Sequence, residues 1–492
     1  MDRHLPVLIV VAALMGAPLC LLVRQPRVVW ALFTAVTWSI AGMAILLLGQ
    51  VLREGPVRYA MGGWPAPLGI EFRVDVLGGF VLTIVSCMAA VVAPYARRSV
   101  EREVAEDRIH QFYAVMLLAL TGLLGLTATG DIFNAFVFLE VSSLATYVLV
   151  SVGQDRRALV SAFRYLVMGT VGGTFYLIGV GFLYVQTGTL NMQDLAVTLP
   201  QWIDTRTSAV AFAFLTVGLS LKLALFPLHL WLPGAYSYAP SVVSAFLAAT
   251  ATKVAAYLML RVFFTVFGEA VAFRELPVAA TLPAVGLFGA LAMSLVAVFQ
   301  TNLKRLLAYS SIAQIGYIVM AVSLGTQGGL TAGIGHLFNH ALMKGALFLA
   351  AGCVAYRIGS VRLEEMRGLG RRMPWTAAAI TLGGASLVGM PLTAGFISKW
   401  HLVAAILDEG QWGLVALILA SSLLAVAYVW RVVGFLYLKD PPNGSALAGE
   451  APWSMLVPTW TLVVANVWFG LDTRGSLGVA AEAARSLLGG QP

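Results

Sequence analysis

Apolar residues fill this chain in runs of roughly twenty, each set off from the next by charge, glycine or proline. About twenty apolar residues wound as a helix cross ~30 Å of hydrocarbon. The runs centre near residues 15, 39, 85, 121, 142, 172, 220, 252, 289, 315, 342, 390, 425 and 462, which predicts about fourteen transmembrane helices. The expected fold is therefore all-α and polytopic. Two runs carry an internal break. One reads VGLSLKLALFPLHLWLPGAYSYAP (217–240), the other LVGMPLTAGFISKWHL (387–402). Pro227 and Pro391 cannot donate to the helical ladder, so two discontinuous helices are expected there.

Composition agrees with the pattern. Of 492 residues, 59% are hydrophobic and only 11% charged, with a mean hydropathy of +0.86. Cys20, Cys87 and Cys353 all fall inside apolar runs, with no spacing of a disulfide framework or a metal site. The net charge of +8 lacks the basic, aromatic-interleaved soluble segment that nucleic acid would need. Loop cations explain it. Counted over alternate loops, Lys plus Arg come to 18 in one set and 8 in the other. The excess places the first set, which includes Arg97, Arg157, Lys304 and Arg362, in the cytoplasm, and both termini outside. The first apolar run follows Arg3 and His4 and passes beyond Leu19–Cys20, a poor cleavage site, so it reads as the first membrane helix rather than a leader.

An internal repeat is visible. Residues 161–188 and 333–359 share small residues and end on a tyrosine closely followed by glycine, and the same shift carries Tyr257 onto Tyr428. Each unit would hold five spans, an odd number, so the second copy would be inverted. Inverted repeats with matching broken helices mark transporters. The expected division is 1–110 for three N-terminal helices, 111–268 and 277–440 for two five-helix repeats, and 441–492 for a last helix and tail.

Five cations fall within the spans: Lys222, Lys253, Arg261, Lys344 and Lys399. Each lysine at the bilayer centre costs about 2.5–3.5 kcal/mol. A purely structural sequence would avoid that. Lys222 lies five residues before Pro227, whose missing N–H frees the Leu223 carbonyl and calls for a polar, hydrated pocket. Pro391 and Gly395 loosen the helix ahead of Lys399 in the same way. Glu140, in DIFNAFVFLEVSSLATYVLV (131–150), is the acid in mid-span and the expected counter-charge to Lys222; Asp131 reads as a helix cap or mouth residue. His336, His340 and Lys344 recur at i, i+4 and i+8, on one helix face. With Lys253 and Lys399 they read as a proton wire. Zinc is not expected, because the His-x3-His pair has no third ligand nearby. Tyr309, Ser310, Ser311 and Gln314 could extend the polar axis. No nucleotide-binding loop, CxxC pair or soluble domain is present, so no cofactor is expected, and energy must come from an ion gradient or another subunit.

NLKRLLAYSSIAQIGYI (302–318), FNAFVFLEVSSLATYVL (133–149), KLALFPLHLWLPGAYSYAP (222–240) and GMPLTAGFISKW (389–400) resemble the antiporter-like subunits. That superfamily is shared by Mrp-type multisubunit Na⁺/H⁺ antiporters, respiratory complex I and membrane-bound hydrogenases. TGTLNM (187–192) and the chain length look most like the D subunits of the Mrp branch. The resemblance implies fourteen helices with inverted bundles in spans 4–8 and 9–13. It also implies proton-carrying roles for Glu140, Lys222, Lys253, His336, His340 and Lys399, with Lys344 joining them by its spacing on the same helix face. The implied setting is the bacterial plasma membrane, among other membrane subunits and lipid, with protons and Na⁺ as the ions moved. One reading is a proton-translocating antiporter subunit. A second is the same machinery driven by a redox complex. A third, a non-transporting scaffold, leaves the buried cations without purpose.

Overall fold

A computed structural model describes residues 4–269, 272–273, 278–441 and 449–489. Arg3 and Arg274, counted among the outer loop cations, lie outside the described residues, as does part of the expected 268–277 boundary.

The short polar stretches between apolar runs become helix caps. Side chains of Asp75, Asp131, Asp155, Asn191, Thr205, Asn302 and Thr326 each accept a backbone N–H of the following first turn. In chain order the first helices are α1 (Leu5–Leu22), α2 (Pro26–Glu54), α3 (Val76–Glu103), α4 (Ile109–Ala128), α5 (Ile132–Ser151), α6 (Arg156–Thr187), the short α7 (Met192–Thr198) and α8 (Arg206–Leu223). They continue as the short α9 (Leu232–Tyr238), α10 (Ser241–Leu260), α11 (Val278–Val298), α12 (Leu303–Ser323), α13 (Gln327–Ile358), the one-turn α14 (Leu369–Arg372), α15 (Pro374–Val388) and α16 (Ala394–Asp408). The last are α17 (Trp412–Val433), α18 (Trp453–Leu471) and α19 (Val479–Leu487).

Among the described residues, thirteen helices are long and apolar enough to cross a membrane. They match thirteen of the expected centres. The fourteenth, near 390, is divided: α15 stops at Val388, α16 begins at Ala394, and Gly389 between them is left-handed at φ 93°. A hairpin of β1 (Val57–Ala60) and β2 (Glu71–Val74) precedes α3, which the apolar pattern did not predict.

The alternation of loops holds in space. On one face, Gln154 donates to the Arg102 carbonyl, Leu303 to Val361, Gly368 to Phe435 and Arg357 to Gly449. On the other, Gly130 N donates to Glu71, Ile132 N to Leu190, and Asn191 Nδ2 to Glu71 Oε1. The cation-rich loops thus share one face. Lys304 is a correction: expected as a loop cation, it is 4% exposed and donates to the Ala239 carbonyl.

α10, α12 and α13 form the buried centre, with α13 packed on α10, α12, α15, α16 and α18. No water-driven force holds apolar helices together inside lipid, so close approach of small residues does the work. Gly286 of α11 and Gly316 of α12 meet backbone to backbone: a Cβ on either would overlap the other's carbonyl oxygen. Gly316→Ala should therefore lower stability by roughly 1–3 kcal/mol, read as a drop in thermal midpoint of the detergent-purified protein. Gly181→Ala, where nothing lies within 4 Å of the new methyl, should leave it unchanged.

Candidate functional site

Lys222 sits on the last turn of α8 and Glu140 midway along α5. The apolar walls of both helices bring them together: Lys222 Nζ lies 3.0 Å from Glu140 Oε1 and donates to Ser143 Oγ at 2.8 Å. The lysine side chain is 6% exposed and the glutamate 23%. So the ammonium is sealed in while the carboxylate keeps one open side. α6 makes the space, since a Cβ at Gly173 would run into the carboxylate.

The break beside Lys222 is built differently from the expectation. α8 ends at Leu223, four residues before Pro227, because Ala224 turns left-handed at φ 58°. Leu225 N then reaches back to the Ser220 carbonyl at 2.9 Å. The Leu221 carbonyl is taken by the Trp231 indole N–H at 2.9 Å, and the indole is stacked on Tyr165 at 4.1 Å between ring centres. A tryptophan from beyond the break, rather than an open pocket, satisfies this helix end.

The second broken helix handles its lysine with backbone. Lys399 Nζ donates to the Leu387 and Val388 carbonyls at 3.0 Å each, the last two of α15, and stands 5.1 Å from the centre of the Tyr317 ring. A helix C-terminus carries partial negative charge, so it solvates a cation without a carboxylate. Lys344 Nζ donates to the Leu307 carbonyl at 3.0 Å and to Ser310 Oγ. Lys253 Nζ donates to the Ala248 carbonyl of its own helix. Both lysines are fully buried.

His336 lies between two polar groups, Nδ1 at 2.7 Å from Ser398 Oγ and Nε2 at 2.9 Å from Gln314 Oε1. His340, one turn on, stacks parallel to it at 6.0 Å. Neither His340 ring nitrogen has a partner among the described residues. Lys253, Lys344 and Lys399 all lie within electrostatic reach of this histidine pair.

The expected site residues thus fall into two groups. Glu140 and Lys222 pair beside the first break, and Lys253, His336, His340, Lys344 and Lys399 gather around α13. No hydrogen bond joins the groups among the described residues. Trp231 and Tyr236 stand between α8 and α10: Trp231 is bonded to Leu221, Tyr236 OH to the Leu247 carbonyl at 3.1 Å, and the two rings meet edge-on at 6.5 Å. Of the polar residues marked on α12, Gln314 and Ser310 touch the axis. Ser311 bonds only its own helix, and Tyr309 lies beneath Arg305.

Several participants were not foreseen. Ser143 follows Glu140 by three residues and so shares its face, a signal that was available. Glu103 and Lys304 had no such signal. Glu103 Oε2 accepts from Ser241 N and Oγ at 2.9 and 3.1 Å, while Lys304 holds the Ala239 carbonyl. An acid on a helix start and a cation on a helix end clasp the joint between α9 and α10. Arg261, at the end of α10, is buried against Asp75 and donates to Tyr257 OH at 3.0 Å.

Residues 129–425 match the family described as "NADH:quinone oxidoreductase/Mrp antiporter, TM". The chain is 42% identical over 493 residues to the N subunit of NADH-quinone oxidoreductase of Desulforudis audaxviator, covering 96% of each chain. It is 31% identical over 490 residues to the Na⁺/H⁺ antiporter D subunit of Bacillus subtilis, covering 98% of this chain and 96% of that one. Among solved structures, a chain of the Mrp complex from Dietzia sp. superposes with a TM-score of 0.89 at 26% identity, over 99% of this chain and 97% of that one. A chain of the membrane-bound sulfane sulfur reductase, an archaeal respiratory membrane complex, gives 0.90 at 30% identity, over 99% and 98%. With matching residues over more than half its length and relatives aligned end to end, this chain belongs to the NADH:quinone oxidoreductase/Mrp antiporter transmembrane family.

Proposed function

We propose that this chain is the proton-translocating membrane subunit of a multisubunit Na⁺/H⁺ antiporter. The observation that carries the reading is the sealed Lys222–Glu140 pair at a helix break. Paired, both groups stay charged at membrane depth. Parted, a lone ammonium in a low-dielectric interior is disfavoured and gives up its proton. A helix that stops beside the lysine supplies the freedom to part them. In this reading protons pass from the Glu140/Lys222 pair to Lys253, then along the file of Lys344, His340 and His336 to Lys399. The multisubunit complexes among the similar structures support other membrane subunits as partners. The cation-rich face is assigned to the cytoplasm of a bacterium and both termini to the outer side. The two broken helices are assigned to inverted repeats, 111–268 and 277–440.

A second reading is favoured by the relatedness to the N subunit of NADH-quinone oxidoreductase: the same wire, driven by electron transfer in a neighbouring subunit. Isolation of the intact complex from native membranes separates the two. An antiporter acidifies or alkalinises vesicles on a sodium step alone. A redox pump stays silent until an electron donor is added.

Glu140→Gln keeps the shape of the side chain and removes its charge. It should cut cation-driven proton flux in vesicles more than tenfold, with complex assembly unchanged on gel filtration, and Lys222→Ala should do the same. Undiminished flux in either would reject the assignment. Trp231→Phe keeps the ring on Tyr165 and removes only the bond to the Leu221 carbonyl. Flux should fall severalfold, between wild type and Glu140→Gln.

A further inference from the structure

A groove of about 690 Å³ runs along the flank of the molecule between α6, α9 and α12. Its middle is apolar and open. Val160, Phe163, Val167 and Leu230 line it and are 53%, 65%, 43% and 72% exposed. Its end at the cation-rich face carries three guanidinium groups, Arg157, Arg164 and Arg305, and no carboxylate lines it. Arg157 is shared with Asp155 at 2.7 Å. Arg164 and Arg305 form no ion pair among the described residues, and Arg305 instead lies over the Tyr309 ring.

Scattered apolar exposure is ordinary on a membrane protein. A concave apolar channel ending in unpaired guanidinium groups is more specific, because it matches two chemistries at a fixed separation. One is a hydrocarbon chain lying along α6 toward mid-membrane. The other is a phosphate at the interface, where long arginine side chains place their heads. A bidentate guanidinium suits phosphate oxygens better than an ammonium does. A helix from another subunit would need its own acids in register with Arg164 and Arg305. A lipid of the surrounding leaflet needs only its headgroup.

We propose that this groove holds one anionic phospholipid of the leaflet at the cation-rich face. Its phosphate rests on Arg164 and Arg305, with Arg157 adding charge behind them. One acyl chain lies along Phe163, Val167 and Leu230. Leu230 and Trp231 belong to the break between α8 and α9, and the Trp231 indole holds the Leu221 carbonyl next to Lys222. The bound chain therefore backs the segment that fixes the end of α8. Occupancy does not rest on the transport reading; the effect on flux does.

The test uses the whole complex purified in mild detergent. Native mass spectrometry with added phosphatidylglycerol reads binding, and vesicles of phosphatidylcholine with or without phosphatidylglycerol read flux. Each basic side chain near a membrane surface contributes about 1 kcal/mol toward anionic lipid, roughly a fivefold change in affinity. Arg164→Gln and Arg305→Gln should each weaken retention of phosphatidylglycerol about fivefold, relative to phosphatidylcholine. Val167→Trp fills the groove without touching charge and should displace the lipid as well. Phosphatidylglycerol with a photoreactive chain should label the α6 peptide or the segment at Leu230. Equal retention by wild type and the double arginine variant would overturn the proposal. So would a Phe163→Cys cross-link to a partner subunit, which would make the groove a protein interface. If binding behaves as expected and flux does not respond to phosphatidylglycerol, the site stands and its link to Trp231 falls.

Discussion

An ammonium group inside hydrocarbon must be neutralised or re-solvated by the protein, and this molecule does each once on a large scale. Lys222 receives a full negative charge from Glu140. Lys253, Lys344 and Lys399 receive only carbonyl and hydroxyl oxygens. The first arrangement stores charge as a pair. The second leaves three like groups around two histidines, with no carboxylate paired to them among the described residues. A second positive charge entering such a cluster would be repelled, whereas the Lys222–Glu140 pair is held by attraction.

The helix breaks serve these two arrangements in different ways. At the first, Ala224 turns the chain away and Trp231 returns to satisfy the helix end, so the lysine side chain is left free to bond Glu140 and Ser143. At the second, the lysine itself satisfies the helix end, on the carbonyls of Leu387 and Val388. Removing Lys399 would therefore strip a cap as well as a charge, whereas removing Lys222 leaves the backbone of α8 served. α13 passes unbroken from Gln327 to Ile358 beside the second break and holds His336, His340 and Lys344 in fixed register.

Most of the fold was legible because lipid demands apolar runs of a set length, and thirteen such helices lie where the runs do. The pairing of Glu140 with Lys222 was legible too, since an acid in mid-span has few partners. Three things were not. The hairpin at 57–74 is too short and too polar to leave a periodic signal. The end of α8 follows from a left-handed alanine, a residue whose sequence gives no hint of it. Lys304 looks like any cation at the start of a span, and only the packing of α3, α9, α10 and α12 shows that it is buried. Long-range contacts decide such cases, and local pattern carries none of them.

The clasp on Ala239 and Ser241 has a mechanical corollary. Glu103 belongs to α3 and Lys304 to α12, and they grip opposite sides of a two-residue joint. A tilt of α12 would pull the trailing end of the break segment, while α3 would pin the head of the helix that bears Lys253. The joint would then serve as a fulcrum, linking the two sides of the molecule through backbone alone.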